Sequence, residues 1–190
     1  MTPLKPNSVS IFETVGIKPL HHEVTMPTFS DVLKFMVACG QLPLERLGDP
    51  DSACEESGQI DLQLFTLYMR FVKEECVREL IPAFESFLED PSSENLAEVM
   101  DGLFDTIWVC QGAMLAANMP IKLVWQEGAW SNLRKIDEKT GEVIRDENGK
   151  IQKPADWEKP HFLQIVNRYL DLNIFNESQL AKAQALWSKE

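Results

Sequence analysis

The sequence is poor in the nitrogen and sulfur side chains that build many metal and redox centres. Its 190 residues contain three histidines and four cysteines. No two cysteines form a C-x-x-C pair, so no paired-cysteine site is indicated. The N-terminal stretch MTPLKPNSVS has no apolar segment, so we expect no signal peptide. We therefore expect a cytoplasmic protein whose thiols are reduced and mostly buried.

Long apolar runs and an excess of basic residues are also missing. No run of about 18 apolar residues occurs, so we expect no membrane span. The formal net charge is -12, and a chain of that charge repels a nucleic-acid backbone. Hydrophobic residues nevertheless make up 44% of the chain, which is enough for a folded core and argues against global disorder.

Helical periodicity dominates the first two thirds of the chain. Apolar residues recur every three or four positions in segments near 29–40, 60–80, 94–118 and 121–133, with a loop at 41–59. Pro82 should end or kink the second of these helices, although residues 82–90 can continue it for a turn or two. Two shorter helices fit residues 162–169 and 177–188. The predicted fold class is all-α, an antiparallel bundle of four to five helices.

The character of the sequence changes after the fourth predicted helix. Residues 136–160 are polar, and EVIRDENGKIQK alternates around Asn148-Gly149, a strong signal for a hairpin turn. We therefore expect a small β-hairpin insertion at 142–153. The predicted organisation is an N-terminal arm at 1–28, a helical domain at 29–162 and a C-terminal helical extension at 163–190.

Two predicted helices carry carboxylates at helical spacing. Glu75 and Glu79 are four residues apart, so about 40° separates them around the helix. Asp101 and Asp105 have the same spacing, and Glu98 falls on their face. The break between the two helices is short, which predicts antiparallel packing. Facing stripes would then bring four or five carboxylates together.

Such a cluster suits a divalent cation, because like charges at that density repel unless a cation neutralises them. Oxygen ligands alone favour Mg²⁺ or Mn²⁺. No histidine lies on these helices, which argues against a ferritin-like di-iron bundle. The alternative is a solvated acidic face. Asp101 and Asp105 fit that alternative less well than Glu74, because aspartate is a poor helix former.

Three blocks of residues carry a resemblance to a known family. The segments RFVKEECVREL and EVMDGLFDTIWVCQG are followed by Ser131-Asn132-x-x-Lys135 and IRDENGKIQKP. In this order they resemble the MazG-like all-α nucleoside triphosphate pyrophosphohydrolases, including phage-type and phosphoribosyl-ATP pyrophosphohydrolase-like members. The resemblance covers roughly residues 29–162, which would make them the catalytic domain.

The first acidic motif departs from the family pattern, E-E-x-x-E, by one residue. Three residues separate Glu75 from Glu79, where the family has two. Aligning on Glu79 puts Cys76 at one usual glutamate position, whereas aligning on Glu74 and Glu75 puts Arg78 at the third. Both registers stay open.

The second acidic motif also allows two registers. Asp101 and Asp105 are four residues apart rather than the commoner three, while Glu98-x-x-Asp101 keeps the three-residue spacing. The resemblance implies that the metal ligands come from both motifs. The candidate ligands of Mg²⁺, or of Mn²⁺, are Glu75, Glu79, Glu98, Asp101 and Asp105.

The resemblance also implies an activity. It is hydrolysis of a (deoxy)nucleoside triphosphate between the α and β phosphates, which controls nucleotide pools, for example of dGTP in a phage setting. Glu75 is the candidate general base. Asn132, Arg134 and Lys135 are candidates for binding the substrate, the alternative being a helix cap and solvated surface cations. The base and the sugar are left open.

The resemblance further implies a homodimer or homotetramer in the cytoplasm, or in the host cytoplasm if a phage encodes the chain. We expect no nucleic-acid partner and no membrane. The main alternative function is a non-catalytic helical module that binds a nucleotide or a protein. A structural helical protein without a metal is the third.

Overall fold

The structure, a computed structural model, describes residues 29–47, 59–137, 140–172 and 175–189. The predicted arm at 1–28 and residues 48–58 of the predicted loop lie outside these ranges. The regular elements of the described chain are helical. They are α1 (Phe29–Ala38), a 3₁₀ turn (Leu44–Leu47), α2 (Leu62–Lys73), a π-helical segment (Glu74–Leu80), α3 (Ile81–Glu89), α4 (Ser93–Ala116), α5 (Ile121–Leu133), α6 (Phe162–Tyr169) and α7 (Glu177–Trp187).

The centre of the fold is a long helical hairpin. The helix that runs through α2, the π segment and α3 turns at residues 90–92, and α4 packs against all three of its parts. This requires α4 to run antiparallel to them. Asp61 caps α2 and Ser92 caps α4 through side chains that accept backbone N–H bonds.

The hydrophobic core lies toward one end of this hairpin. Tyr68 of α2 and the C-terminal half of α4 pack with α1, which contributes three almost fully buried residues. The terminal helix α7 packs on α2. The main members of the core are Val32, Leu33, Met36, Tyr68, Val109, Ala113, Leu115, Ala116 and Ile121. The predicted all-α fold class is therefore confirmed for the described residues.

Of the two outcomes predicted at Pro82, an end or a kink, the helix does not end there. The chain continues as α3 to Glu89, with the proline in the first turn of that helix. The π segment directly before it bonds i→i+5, and the Ile81 N–H donates to the Cys76 carbonyl. Since proline is tolerated in the first turn after such a change of register, the helix passes through it without ending.

The predicted β-hairpin is not observed. Residues 142–153 turn at Asp146–Gly149, and Gly149 takes a positive φ of 78°. Pairing is limited to two isolated antiparallel bridges, Ile136 with Val143 and Arg145 with Ile151, and the described residues form no strand. Ile144 and Ile151 are exposed, so the segment lacks the buried face that makes a two-stranded ribbon stable.

Two further expectations can be compared with the structure. The prediction of buried cysteines is wrong for Cys39 and Cys110, which are exposed, while Cys76 is half-buried. Cys54 lies outside the described residues. Among the helices that the structure describes, none is both long and apolar enough to cross a membrane.

Candidate functional site

The first acidic motif forms the π segment of the long helix. All seven residues of Glu74–Leu80 belong to it, so Glu75 and Glu79 lie where the helix is wider than an α-helix. At its start the Glu74 N–H is shared between the carbonyls of Arg70 and Phe71. Short π segments inside α-helices are frequent at functional sites. The extra residue of this motif therefore coincides with a local change in helical register.

A glycine allows the second acidic helix to approach this segment closely. A Cβ added to Gly102 would lie 3.0 Å from the Leu80 Cα and 3.3 Å from the Leu80 nitrogen. The backbone of α4 at Gly102 therefore packs directly on the backbone at the end of the π segment. Asp101 is the neighbour of Gly102 in sequence, and Asp105 follows one turn later. The contact fixes the second acidic pair beside the first motif.

The carboxylates act on one another electrostatically at Glu75. Its pKa is raised from the ordinary value of 4.5, first by burial and then by the charges of Glu79, Asp105, Glu74 and Asp101. Both effects penalise the ionised form. Carboxylates from the π segment and from α4 therefore share one electrostatic environment, as facing stripes on antiparallel helices predict. We call these five residues the acidic cluster.

The members of the acidic cluster differ in exposure. Glu75 and Asp105 are half-buried, whereas Glu74, Glu79 and Asp101 are exposed. Glu98, the remaining predicted ligand, is exposed and is not among the charges that raise the pKa of Glu75. In the described part of the chain no three acidic, histidine or cysteine side chains converge tightly enough to form a ready-made metal site.

The predicted phosphate-binding block lies at the end of α5. The Lys135 Nζ donates to the Asn132 Oδ1 at 2.7 Å. The Arg134 Nη2 donates to the Asp156 carbonyl at 2.9 Å and lies 3.3 Å from its carboxylate. The Arg134 guanidinium also stacks over the Trp130 ring, 4.9 Å from its centroid. Both cations thus already have partners within the chain.

Ser131 has a structural role in the same block. Its side chain is 2% exposed, and its hydroxyl donates to the Glu158 carbonyl at 3.1 Å. The Trp157 Nε1 donates to the Ser131 carbonyl at 2.7 Å. These bonds fasten residues 156–158 to the end of α5. Ser131 therefore holds residues 156–158 in place, and its side chain is not available to a ligand.

The structure does not join this block to the acidic cluster. Among the described helices, α5 has most of its contacts with α6, while the acidic cluster lies on the π segment and α4. The side-chain hydrogen bonds and ion pairs that Asn132, Arg134 and Lys135 make among the described residues go to one another or to Asp156. No side-chain hydrogen bond or ion pair of the described residues links this block to the acidic cluster.

Two residues of the site were missed by sequence reasoning. Glu74 had been interpreted as part of the solvated face, yet its charge acts on Glu75. Gly102 had been given no role, yet it sets the approach of the two acidic helices. The available signal was a glycine inside a long helix between two aspartates. Glycine inside a helix costs stability, so it is expected there only where close packing requires it.

Comparison with known proteins adds no family assignment. No protein-family model matches the chain, and no curated protein matches it either.

Proposed function

We propose that this protein is an Mg²⁺-dependent nucleoside triphosphate pyrophosphohydrolase. It would hydrolyse a (deoxy)nucleoside triphosphate between the α and β phosphates and release pyrophosphate. The observation that carries the proposal is the acidic cluster, in which Glu75 is half-buried among four other carboxylates from two helices. The resemblance of the three sequence blocks to MazG-like enzymes supplies the reaction.

The chemistry of the donor set fits a hard divalent cation. Glu75, Glu79, Asp101 and Asp105 provide only carboxylate oxygens, which Mg²⁺ and Mn²⁺ prefer. Their mutual repulsion, seen in the raised pKa of Glu75, would be relieved by a cation. Side-chain rotation of the exposed Glu79 and Asp101 would be needed to complete a binding site. Bound Mg²⁺ would neutralise the triphosphate and make water a better nucleophile.

Glu75 has the properties of a general base. The raised pKa of Glu75 lies closer to neutral pH than the pKa of an ordinary glutamate. A general base works best when its pKa is near the working pH. Burial of one side restricts its rotamers, whereas the exposed Glu79 is freer. We assign proton transfer from water to Glu75 and charge neutralisation to the other members of the acidic cluster.

Arg134 and Lys135 would bind the phosphate oxygens. Lys135 is held by the amide of Asn132 and lies 5.9 Å from the Trp157 ring centroid, and Arg134 is held by the Trp130 ring and by an aspartate whose side chain is 83% exposed. Exposed ion pairs of this kind contribute little and exchange readily for a better anion. Because the block and the acidic cluster are separate in one chain, substrate would have to join them by closure of the segment after α5 or across two copies.

The decisive experiment is a panel of ribo- and deoxynucleoside triphosphates incubated with purified protein and Mg²⁺, with pyrophosphate measured. We expect release from at least one nucleotide, loss of release in EDTA, and a loss of about 10²-fold or more in Asp105→Asn. The matched control is Glu85→Gln, which removes an exposed carboxylate of α3 outside the acidic cluster. Release unchanged in Asp105→Asn would refute the site, and no release from any nucleotide would refute the enzyme.

A non-catalytic nucleotide-binding module is the second candidate, favoured by one observation. The cations at the end of α5 are already paired within the chain. Calorimetry with Mg²⁺ and the same nucleotides separates the two. Binding without turnover would favour the module.

A further inference from the structure

The ring of Trp157 is held in a fixed orientation at the end of α5. Its Nε1 donates to the Ser131 carbonyl at 2.7 Å, and the hydroxyl of the buried Ser131 donates to the carbonyl of Glu158, the residue after the tryptophan. An indole has one hydrogen-bond donor and no acceptor, and here the donor is already used. The half-buried ring can therefore offer a ligand only stacking and apolar contact.

Two ammonium groups lie beside this ring. The Lys153 Nζ is 3.9 Å from the ring centroid, and the Lys135 Nζ is 5.9 Å from it. Within the described ranges neither lysine forms an ion pair with a carboxylate, and Lys135 donates to the Asn132 amide instead. Carboxylates are in excess in a chain of net charge -12. Two ammonium groups that gather at an indole rather than at carboxylates favour a ligand that is both aromatic and anionic.

We propose that Trp157 is the platform on which the nucleobase of the substrate stacks, while Lys135 and Lys153 bind its phosphate groups. A nucleotide combines an aromatic ring with negative charge, which is the combination that this group of side chains can bind. The inference rests on the proposed function, because that function supplies the class of ligand. It adds the place where the base binds and the residue that binds it.

The base has to displace Lys153 from the face of the ring, and the magnitudes favour this exchange. Lys153 is exposed, and a cation–π contact at an exposed site is worth about two- to fivefold in an equilibrium constant. A base stacked on an aromatic side chain is worth about five- to 150-fold. The displaced ammonium group stays on a flexible side chain next to the ring, so it can bind a phosphate oxygen of the same nucleotide.

Recognition through the face of the ring predicts a particular pattern of specificity. Because the Trp157 Nε1 is bonded to Ser131, the indole cannot read the hydrogen-bonding edge of a base. Every base has a π face, so all four should bind, and affinity should follow stacking area. We expect adenine and guanine nucleotides to bind alike, and each about threefold or more tighter than cytosine and uracil nucleotides.

Calorimetry on the full-length protein with Mg²⁺ and α,β-methylene nucleoside triphosphates, which resist hydrolysis between the α and β phosphates, tests the proposal. Trp157→Leu should raise the Kd of the adenine analogue about tenfold, because stacking is lost. It should leave the Kd of inorganic tripolyphosphate unchanged, because that probe has no base. Trp125→Leu is the matched control, since Trp125 is a 74% exposed tryptophan of α5, and it should leave both Kd values unchanged.

A second variant separates stacking from the anchoring role of the indole. Trp157→Phe keeps an aromatic face and loses the bond to Ser131, so the adenine analogue should bind within about threefold of wild type. Equal weakening of the analogue and of tripolyphosphate in both variants would show an anchor only and would overturn the proposal. Analogue binding that is absent, unchanged in Trp157→Leu, or tighter for pyrimidines than for purines would also overturn it. Binding that depends on Trp157 as described would support it even if no pyrophosphate were ever released, so this proposal and the hydrolase fail separately.

Discussion

Gly112 offers the sharpest test of the packing described here. The Tyr68 ring lies directly against its Cα, so a Cβ added there would be 2.1 Å from the Tyr68 Cε1 and 2.4 Å from Cδ1. Tyr68 is 3% exposed, packs edge-on against Phe71 and donates from its hydroxyl to the Gln41 Oε1 at 2.7 Å. Gly112→Ala therefore forces the ring out of a site that its neighbours define.

The size of the effect follows from three contributions. Overpacking of a filled core costs about 1–3 kcal/mol, and loss of the hydrogen bond to Gln41 costs about 1 kcal/mol more. Alanine is better than glycine inside a helix by about 1 kcal/mol, which offsets part of the cost. We expect Gly112→Ala to lower the free energy of unfolding by about 2 kcal/mol. For a chain of this length that corresponds to a decrease in Tm of roughly 4–8 °C.

The assay is urea unfolding followed by circular dichroism, with Gly128→Ala as the matched control. Gly128 is also inside a helix, but a Cβ there would lie 3.6 Å from the Phe162 Cζ, an ordinary contact. The control should gain about 0.5–1 kcal/mol. If Gly112→Ala were as stable as Gly128→Ala, with equal m-values, the close packing of α2 on α4 would be refuted.

Two glutamates should give opposite pH dependences when their carboxylates are neutralised. The pKa of Glu75 is raised in the folded protein, so its ionised form opposes folding at pH values above that pKa. In EDTA, Glu75→Gln should therefore be more stable than wild type at neutral pH. This gain in stability should disappear as the pH falls toward 4.5. The pKa of Glu127 is lowered, first by the backbone N–H of His161 and also by its ring, so the stability it contributes is present above pH 4.5 and is lost on acidification. Glu127→Gln should therefore be less stable than wild type at neutral pH, and this difference should shrink as the pH falls. Urea midpoints between pH 4 and pH 8 measure the stability of both variants. A difference from wild type that widened on acidification would contradict the direction of the pKa shift assigned to that glutamate.

The helices were the most predictable part of the fold, for a physical reason. Residues 121–133 and 162–169 were expected to be helical, and α5 and α6 have those bounds. Local signals decide such segments, because apolar periodicity and flanking breakers act within one turn. The predicted hairpin is absent because Asn148-Gly149 specifies only a turn, whereas strands need a buried face that tertiary packing must supply.

The spacing of the carboxylates along their helices was predictable from the sequence, whereas the position of the acidic cluster relative to the end of α5 was not. Carboxylates four residues apart on two antiparallel helices were expected to meet, and Glu79, Asp101 and Asp105 do act on Glu75. The relation of Asn132, Arg134 and Lys135 to them depends on where α5 lies against the hairpin, which no local spacing encodes. The role of Ser131 was hidden for the same reason, since its partners lie more than 20 residues further along the chain.

The π segment explains how an irregular motif can still present its glutamates together. In an α-helix, residues one turn apart are separated by three or four positions, so Glu74 and Glu79, five apart, would diverge. Bonding of the type i→i+5 adds about one residue to the turn, which returns Glu79 to the side of Glu74 and Glu75. The same wider turn ends against Gly102, where α4 approaches the Leu80 backbone. The wider turn of the π segment and the missing side chain of Gly102 therefore meet at the same contact between the two acidic helices.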